Sequence, residues 1–379
     1  KCYGYHSLIS LMTYYVYYFR QISEINLLPL HIIANFVIVA FIEDNVSTFS
    51  LLPFSPLLES QQNNSWLKFS QQHPSFSDKL SAERLALFKQ AIALSDFILR
   101  SALQAPELVI ELFSSERLLL NETPDYKAAL AKELANCSTE EQLHRSLRLF
   151  RLVEMTYIGV GDFLLATSLD ESLKRLSSLA DQLIIAATNW LSTYCHNKWG
   201  VPVNSAGEQQ ELLVYGMGKL GGQELNFSSD IDLIFVYPEA GETQGLRRTI
   251  DNQLFFTRLG QKLITALNQQ TVDGFVYRVD MRLRPFGESG PVVLSFNAME
   301  NYYQDQGRDW ERYAMLKARL IGESQYHGQL SNMLRPFVYR RYIDFSVIDS
   351  LRRMKAMIAQ EVRRKQLNNN IKLGAGGIR

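Results

Sequence analysis

The sequence predicts an α+β chain in which a small mixed sheet is set between helical segments. Two observations lead there. The flanking stretches repeat apolar residues at the helical period, whereas residues 212–296 break into strand-length apolar runs that end at Gly or Pro. Strands mixed with helices over so short a span indicate a sheet domain inserted between helical parts. At 379 residues the chain has room for two or three domains and a sizeable core.

Residues 1–50 stand apart. The chain opens on Lys1 rather than Met and reads as a fragment, with aromatics crowded at Tyr14, Tyr15, Tyr17, Tyr18 and Phe19. The apolar run over 27–42 is broken by Pro29, His31 and Asn35, short of the ~20 apolar residues that a membrane span needs. The small-residue cleavage site of a signal peptide is missing. This stretch is expected to be an atypical leader outside the fold, with no membrane role.

Helical text follows, and the expected helical domain covers 51–206. Residues 83–104, 106–118, 138–154 and 168–195 carry the apolar helical period. Ser138-Thr-Glu-Glu141 and Ser168-Leu-Asp-Glu171 read as capping boxes. After a loop at 200–207, strands are expected at 212–215, 231–237, 274–284 and 292–296, with a helix over 251–268. A sheet domain is therefore placed at 207–325. Helices at 299–306, 310–321 and 345–366 follow, and 326–379 reads as the start of a truncated helical domain ending in the glycine-rich 374–379.

Composition narrows the partners. Lys+Arg and Asp+Glu number 39 each, so no net field draws the chain to nucleic acid or membrane. Residues 335–379 hold eleven Lys/Arg against three Asp/Glu, yet lack regularly spaced stacking aromatics, so a basic helix face is expected there rather than a nucleic-acid site. Cys2, Cys137 and Cys195 are far apart and odd in number, which suggests a reducing compartment and no structural metal. His196 reads as a helix-end cap, and Asp309 and Glu311 as complements to a helix dipole.

The chemistry is concentrated in three strings. Asp230 and Asp232 lie two apart at the mouth of a strand, so both carboxylates share a face while Ile231, Leu233 and Phe235 point inward. Carboxylates so close repel unless a cation sits between them, and hard oxygen donors suit Mg²⁺ held with phosphates. Solvated pairs with this spacing are also common. Before them, Gly216, Gly218, Gly221 and Gly222 allow close backbone approach and N–H contacts to phosphate, with Lys219 as a point charge. A plain strand-to-helix turn would use glycine too.

The third strand, 274–284, sets Phe275, Tyr277, Val279, Met281 and Leu283 on one face. Val276, Arg278, Asp280, Arg282 and Arg284 form the other. One acid among three arginines fits a third metal ligand beside a phosphate-binding row. An exposed face with cross-strand ion pairs is the alternative. Together the three strings suggest two-metal phosphoryl transfer.

Four strings carry a family resemblance: Gly216-Met-Gly-Lys-Leu-Gly-Gly-Gln-Glu-Leu-Asn-Phe-Ser-Ser-Asp-Ile-Asp-Leu233, Tyr277-Arg-Val-Asp-Met-Arg-Leu-Arg-Pro-Phe-Gly-Glu-Ser-Gly-Pro291, Gly307-Arg-Asp-Trp-Glu-Arg-Tyr313 and Ile371-Lys-Leu-Gly-Ala-Gly-Gly-Ile-Arg379. They resemble the bifunctional glutamine synthetase adenylyltransferase/adenylyl-removing enzymes, which hold two nucleotidyltransferase domains of the DNA polymerase beta type. The likeness runs from about residue 80 to the end. A helical stretch ahead of the motif, Leu225-Asn-Phe-Ser-Ser-Asp-Ile-Asp232 and Phe286-Gly-Glu-Ser-Gly290 resemble the amino-terminal copy.

The resemblance implies a cytoplasmic transferase of nitrogen metabolism that removes AMP from a tyrosine of glutamine synthetase by phosphorolysis, releasing ADP. The other copy of the domain adds AMP from ATP. It also implies Asp230, Asp232 and Asp280 as metal carboxylates for two Mg²⁺ ions, and Ser228 and Ser229 with the 216–222 loop as the phosphate-binding segment. Arg278, Arg282 and Arg284 would hold the incoming phosphate. A PII-type signalling protein and glutamine would regulate the enzyme. The alternatives are an ATP-dependent adenylyltransferase acting on glutamine synthetase, an RNA-tailing polymerase of the same fold, and a non-catalytic nucleotide-binding module.

Overall fold

The computed structural model describes residues 54–339 and 345–365. The leader at 1–50, the basic residues beyond 365 and the glycine-rich end lie outside the described residues. The chain divides into two compact units, one running through Leu179 with Asn226–Ser228, the other formed by Ala180–Leu225 and the residues from Ser229. The expected division at 206/207 thus differs from this one, which falls inside a helix.

The first unit is helical: α1 (Pro56–Gln72), α2 (Ala82–Leu94), α3 (Asp96–Gln104), α4 (Pro106–Ser114), α5 (Glu116–Leu120), α6 (Tyr126–Leu134), α7 (Glu140–Leu164) and the start of α8 (Leu169–Trp199). The single helix expected over 83–104 is two, because Ser95 ends α2 and caps α3 by accepting from the Ile98 N–H at 3.3 Å. The 106–118 helix likewise breaks at Ser115. The capping box of α7 sits one residue later than expected: Thr139 accepts from the Gln142 N–H, and the Gln142 side chain accepts from the Thr139 N–H. At α8, Ser168 accepts from the Glu171 N–H at 3.3 Å, but the Glu171 carboxylate takes Thr123 and Arg175 as donors instead. The aromatic core joins Phe69, Phe76, Phe88 and Phe113, with ring centroids 4.5 to 5.2 Å apart.

The second unit is built on a five-stranded mixed sheet. Its strands are β2 (Leu213–Gly216), β3 (Ile231–Tyr237), β5 (Val279–Asp280), β6 (Val293–Ser295) and β7 (Arg319–Ile321). β2 lies antiparallel between β3 and β7. On the other side of β3, β5 pairs parallel with its start and β6 parallel with its end. A separate ribbon pairs β1 (Val201–Asn204), within the expected loop at 200–207, with β4 (Gly241–Gln244). Helices α10 (Asn252–Asn268), α11 (Phe296–Asp305), α12 (Asp309–Met315), α13 (His327–Val338) and α14 (Phe345–Arg364) complete the unit, with α9 (Gly218–Gly221) a single turn after β2. Mixed helix and sheet in these proportions is the expected α+β class.

β3 is the central strand, buried on both faces at Leu233, Ile234, Phe235 and Val236, which explains its continuous apolar run. One core gathers Tyr215, Ile234, Val236, Leu294, Met299, Tyr303, Leu320 and Leu330. Glu311, 3% exposed, accepts from the Tyr302 hydroxyl at 2.6 Å and the Arg308 N–H at 2.8 Å, so it joins α11 to α12 beyond any dipole effect. His196 lies in the last turn of α8, where its ring stacks on Phe255 at 5.7 Å and burial holds its imidazole pKa below the usual value.

Two expected elements differ. The strand placed at 274–284 reduces to two residues, because Val276 and Tyr277 are both buried and the chain turns again from Met281. The helix placed at 310–321 ends at Met315, and Arg319–Ile321 becomes β7 on the exposed edge of β2. Among the described residues, no helix is long and apolar enough to cross a membrane.

Candidate active site

Asp232 and Asp280 are register partners on parallel neighbours, β3 and β5. Adjacent strands stand about 4.8 Å apart and paired residues share a face, so the two carboxylates emerge side by side. Asp230 precedes β3 by one residue. The junction is fixed by backbone bonds: Ile231 N–H donates to the Arg278 carbonyl at 2.9 Å, and Val279 N–H to the Asn268 side chain at 3.1 Å.

Two arginines sit on these acids. Arg278 donates to Asp230 at 2.5 Å, with side-chain exposures of 60% and 44%. Arg282 embraces Asp280 through its guanidinium, at 2.5 Å for the shortest contact, and through its own N–H at 2.9 Å. The Arg282 hydrogen bonds hold the Asp280 carboxyl below the usual carboxylate range, against the opposing effect of burial. Arg284 is placed differently. It is 9% exposed and donates to the carbonyls of Met281, Glu288, Gly290 and Pro291, so it braces the turn after β5, while its charge adds to the lowering of the Asp280 carboxyl.

The glycine loop divides its work. Gly218 has φ +53°, and a Cβ there would stand 2.8 Å from the Asp232 carboxylate. The loop therefore closes directly on Asp232, and only glycine fits. Gly221 serves packing: a Cβ would lie 1.9 Å from the Lys317 carbonyl. The N–H groups of Gly221 and Gly222 donate to Met217 and Gly218 within the turn, and the Met217 N–H to the Asp232 carbonyl. Lys219 lies in α9. Ser229, half-buried, adjoins Asp230, while Ser228, exposed, is grouped with the first unit.

As donors, three carboxylates on adjacent strand ends are what Mg²⁺ takes. Among the described residues no three His, Cys, Asp or Glu side chains converge as a ready metal-holding group, and two of the three acids are engaged by arginines. By donor type these acids are ones Mg²⁺ takes, and the guanidiniums paired with them are exposed, 60% for Arg278 and 69% for Arg282. A cleft lined by Arg308, Trp310, Met357 and Arg363 lies at α12 and α14 and includes none of the candidate carboxylates.

The sequence reading misses Arg319. Its guanidinium donates to the Leu220 carbonyl at 3.0 Å and the Gly221 carbonyl at 3.3 Å, and pairs with Asp181 at 2.9 Å. No local signal marks it, because its partners are far off in sequence and its strand is hidden in an apparent helix.

Comparison with known proteins adds the following. Residues 85–333 match the model of the glutamate-ammonia ligase adenylyltransferase family. A bifunctional glutamine synthetase adenylyltransferase/adenylyl-removing enzyme of Shewanella woodyi is 51% identical over 328 residues, 86% of this chain and 34% of that protein. The proteins of the same name from Shewanella loihica and Vibrio parahaemolyticus are 53% and 58% identical over 83% and 77% of this chain, and 33% and 31% of theirs. The chain spans about a third of the length of the curated relatives it matches.

Proposed function

Because the chain belongs to the glutamate-ammonia ligase adenylyltransferase family, we propose that it carries the adenylyl-removing half of such an enzyme, taking AMP from a modified tyrosine of glutamine synthetase by phosphorolysis. The observation that carries the reading is the side-by-side pair Asp232 and Asp280, with Asp230 ahead and Gly218 closed against Asp232. Removal rather than addition is favoured by the string Leu225-Asn-Phe-Ser-Ser-Asp-Ile-Asp232 and by the helical unit that precedes the sheet.

In this reaction inorganic phosphate attacks the α-phosphorus. A new P–O bond forms as the bond to the tyrosine oxygen breaks, ADP departs, and the phenolate takes up a proton. A phenol with a pKa of about 10 is a fair leaving group once its charge is stabilised. Asp230, Asp232 and Asp280 would hold two Mg²⁺ ions, which when bound supply the charge neutralisation of an in-line transfer. Arg278 and Arg282 would turn from Asp230 and Asp280 to the phosphate oxygens, the fork of each guanidinium matching two of them. Gly216, Gly218 and Lys219 with Ser228 and Ser229 would line the phosphate side, Gly221 and Gly222 shaping the turn beneath. Arg284 acts behind them, holding the turn after β5. Glutamine synthetase as protein substrate, a PII-type regulator and a cytoplasmic setting belong to the same proposal.

The test is to incubate the chain with adenylylated glutamine synthetase, Mg²⁺ and phosphate. ADP should appear only with phosphate and should be lost in Asp232→Asn. Near-normal removal by Asp230→Asn or Asp232→Asn would sink the assignment. Pyrophosphate release from ATP and unmodified glutamine synthetase would reassign the chain to adenylyl addition.

A further inference from the structure

Arg319 stands opposite Gly216 in the β2–β7 pairing, so it shares a rung with the first glycine of the loop. From that rung its guanidinium reaches the far end of the same loop, donating to the carbonyls of Leu220 and Gly221. The Leu220 carbonyl also accepts from the Gln223 N–H at 3.1 Å, and the planar, charged fork of Arg319 ties it to the Gly221 carbonyl beside it. The guanidinium is itself fixed by Asp181 of α8, at 3.0 Å and 2.9 Å on the two carboxylate oxygens.

Asp181 is 9% exposed, and burial pushes its carboxyl up while Arg319 pulls it back. Burying an acid beside one arginine is a poor route to stability and a good one to fixed orientation. Lys317, two residues before Arg319, adds two more ties. The Lys317 carbonyl seats Gly221, and the Lys317 ammonium holds Glu224 at 2.6 Å. Towards its opposite end the loop is held by the Met217 N–H on the Asp232 carbonyl at 2.9 Å, with Gly218 packed close to the Asp232 carboxylate.

Resting on the reading of this loop as the phosphate side of a nucleotidyl-transfer site, we propose that Arg319, oriented by Asp181, is a positioning residue. It sets the height of the 216–222 loop over Asp232 and thereby the binding of the phosphate-bearing nucleotide. It touches no reacting atom. A displacement of about 1 Å at such a loop is enough to cost on the order of a hundredfold in turnover.

The experiment uses the full chain, three single variants, Arg319→Gln, Arg319→Lys and Asp181→Asn, and the double variant of Arg319→Gln with Asp181→Asn. Hydrogen exchange is followed in the peptide covering 216–224, and ADP binding is followed by calorimetry with Mg²⁺. Arg319→Gln should speed exchange in that peptide and weaken ADP binding on the order of tenfold or more. Arg319→Lys should recover only part, since one ammonium cannot span both carbonyls and Asp181. Asp181→Asn should show the same signs, and the double variant should be no worse than Arg319→Gln, as expected of residues acting as a unit. Unchanged exchange in all three single variants overturns the proposal, and so does faster exchange with unaltered ADP affinity. If Arg319→Gln does not fold, the lysine and Asp181 variants decide alone. Exchange needs no ligand and no turnover, so failure of the reaction assignment, seen as absent ADP release by the unaltered chain, is told apart from failure of this proposal.

Discussion

Gly221 and Gly328 differ in what a methyl group would meet. At Gly221 it would collide with the Lys317 carbonyl, whereas at Gly328, inside α13, nothing lies within 4 Å. Gly221→Ala should therefore lower stability by about 1–3 kcal/mol, the range for forced overpacking. Gly328→Ala should raise it by about 0.4–1 kcal/mol through the unfolded chain. Urea midpoints of the two variants check both signs. The same scale decides Arg282. Its hydrogen bonds depress the Asp280 carboxyl, so that contribution is complete above the ordinary value of 3.8 and is lost as pH falls through the lowered one. In Arg282→Gln the Asp280 carboxyl should titrate at higher pH, read by the carboxyl carbon shift in NMR; an unmoved titration would refute the pairing. Asp230, Asp232, Asp280 and Gly218 were legible as single residues because their spacing repeats with the strand period and the turn. The separate duties of Gly221 and Arg284 were not, since each depends on a carbonyl that the local sequence does not place.

Elements were legible where one period ran long enough to count. While β3 was legible as a continuous apolar run stopped by Pro238, α8 and α10 meet that condition. α1 does not: it is rich in Ser, Gln and Asn and buries only Leu58 and Phe69. The short β7 was hidden for a different reason, since three residues that complete a sheet edge carry no period of their own. α8 also shows how an element can carry acid sensitivity. His196 stacks on Phe255 in a half-buried setting, and its imidazole resists protonation there. A depressed pKa gives stability that is present above the ordinary histidine value of 6.5 and is lost as pH falls through the folded value. His196→Phe keeps an aromatic ring and removes the titration. Between pH 7 and 5 its urea midpoint should fall less than that of the unaltered chain, and an identical fall would show that His196 contributes nothing to the acid slope.

At the scale of the whole molecule, the composition shift near residue 207 suggests where the sheet begins, but the packing of the second unit begins earlier. Its members from α8 include Asp181 on Arg319, Ile185 against Gly322 and His196 on Phe255. β1 adds a ribbon with β4, and Asn252 of α10 donates to the Val203 carbonyl at 3.0 Å. A fragment cut at 207 would leave all of these partners unmatched, including the half-buried Arg319 and the apolar surface of α10. A fragment begun near 168, which keeps α8 whole, retains them. Two fragments ending at 339 should therefore behave differently. The one from 168 should give a cooperative thermal transition, and the one from 207 should aggregate or show none. The contrast locates the functional boundary, because Asp181 reaches the glycine loop only through α8. Equal folding of both fragments would mean that the sheet is self-sufficient and that α8 serves the site without supporting the domain.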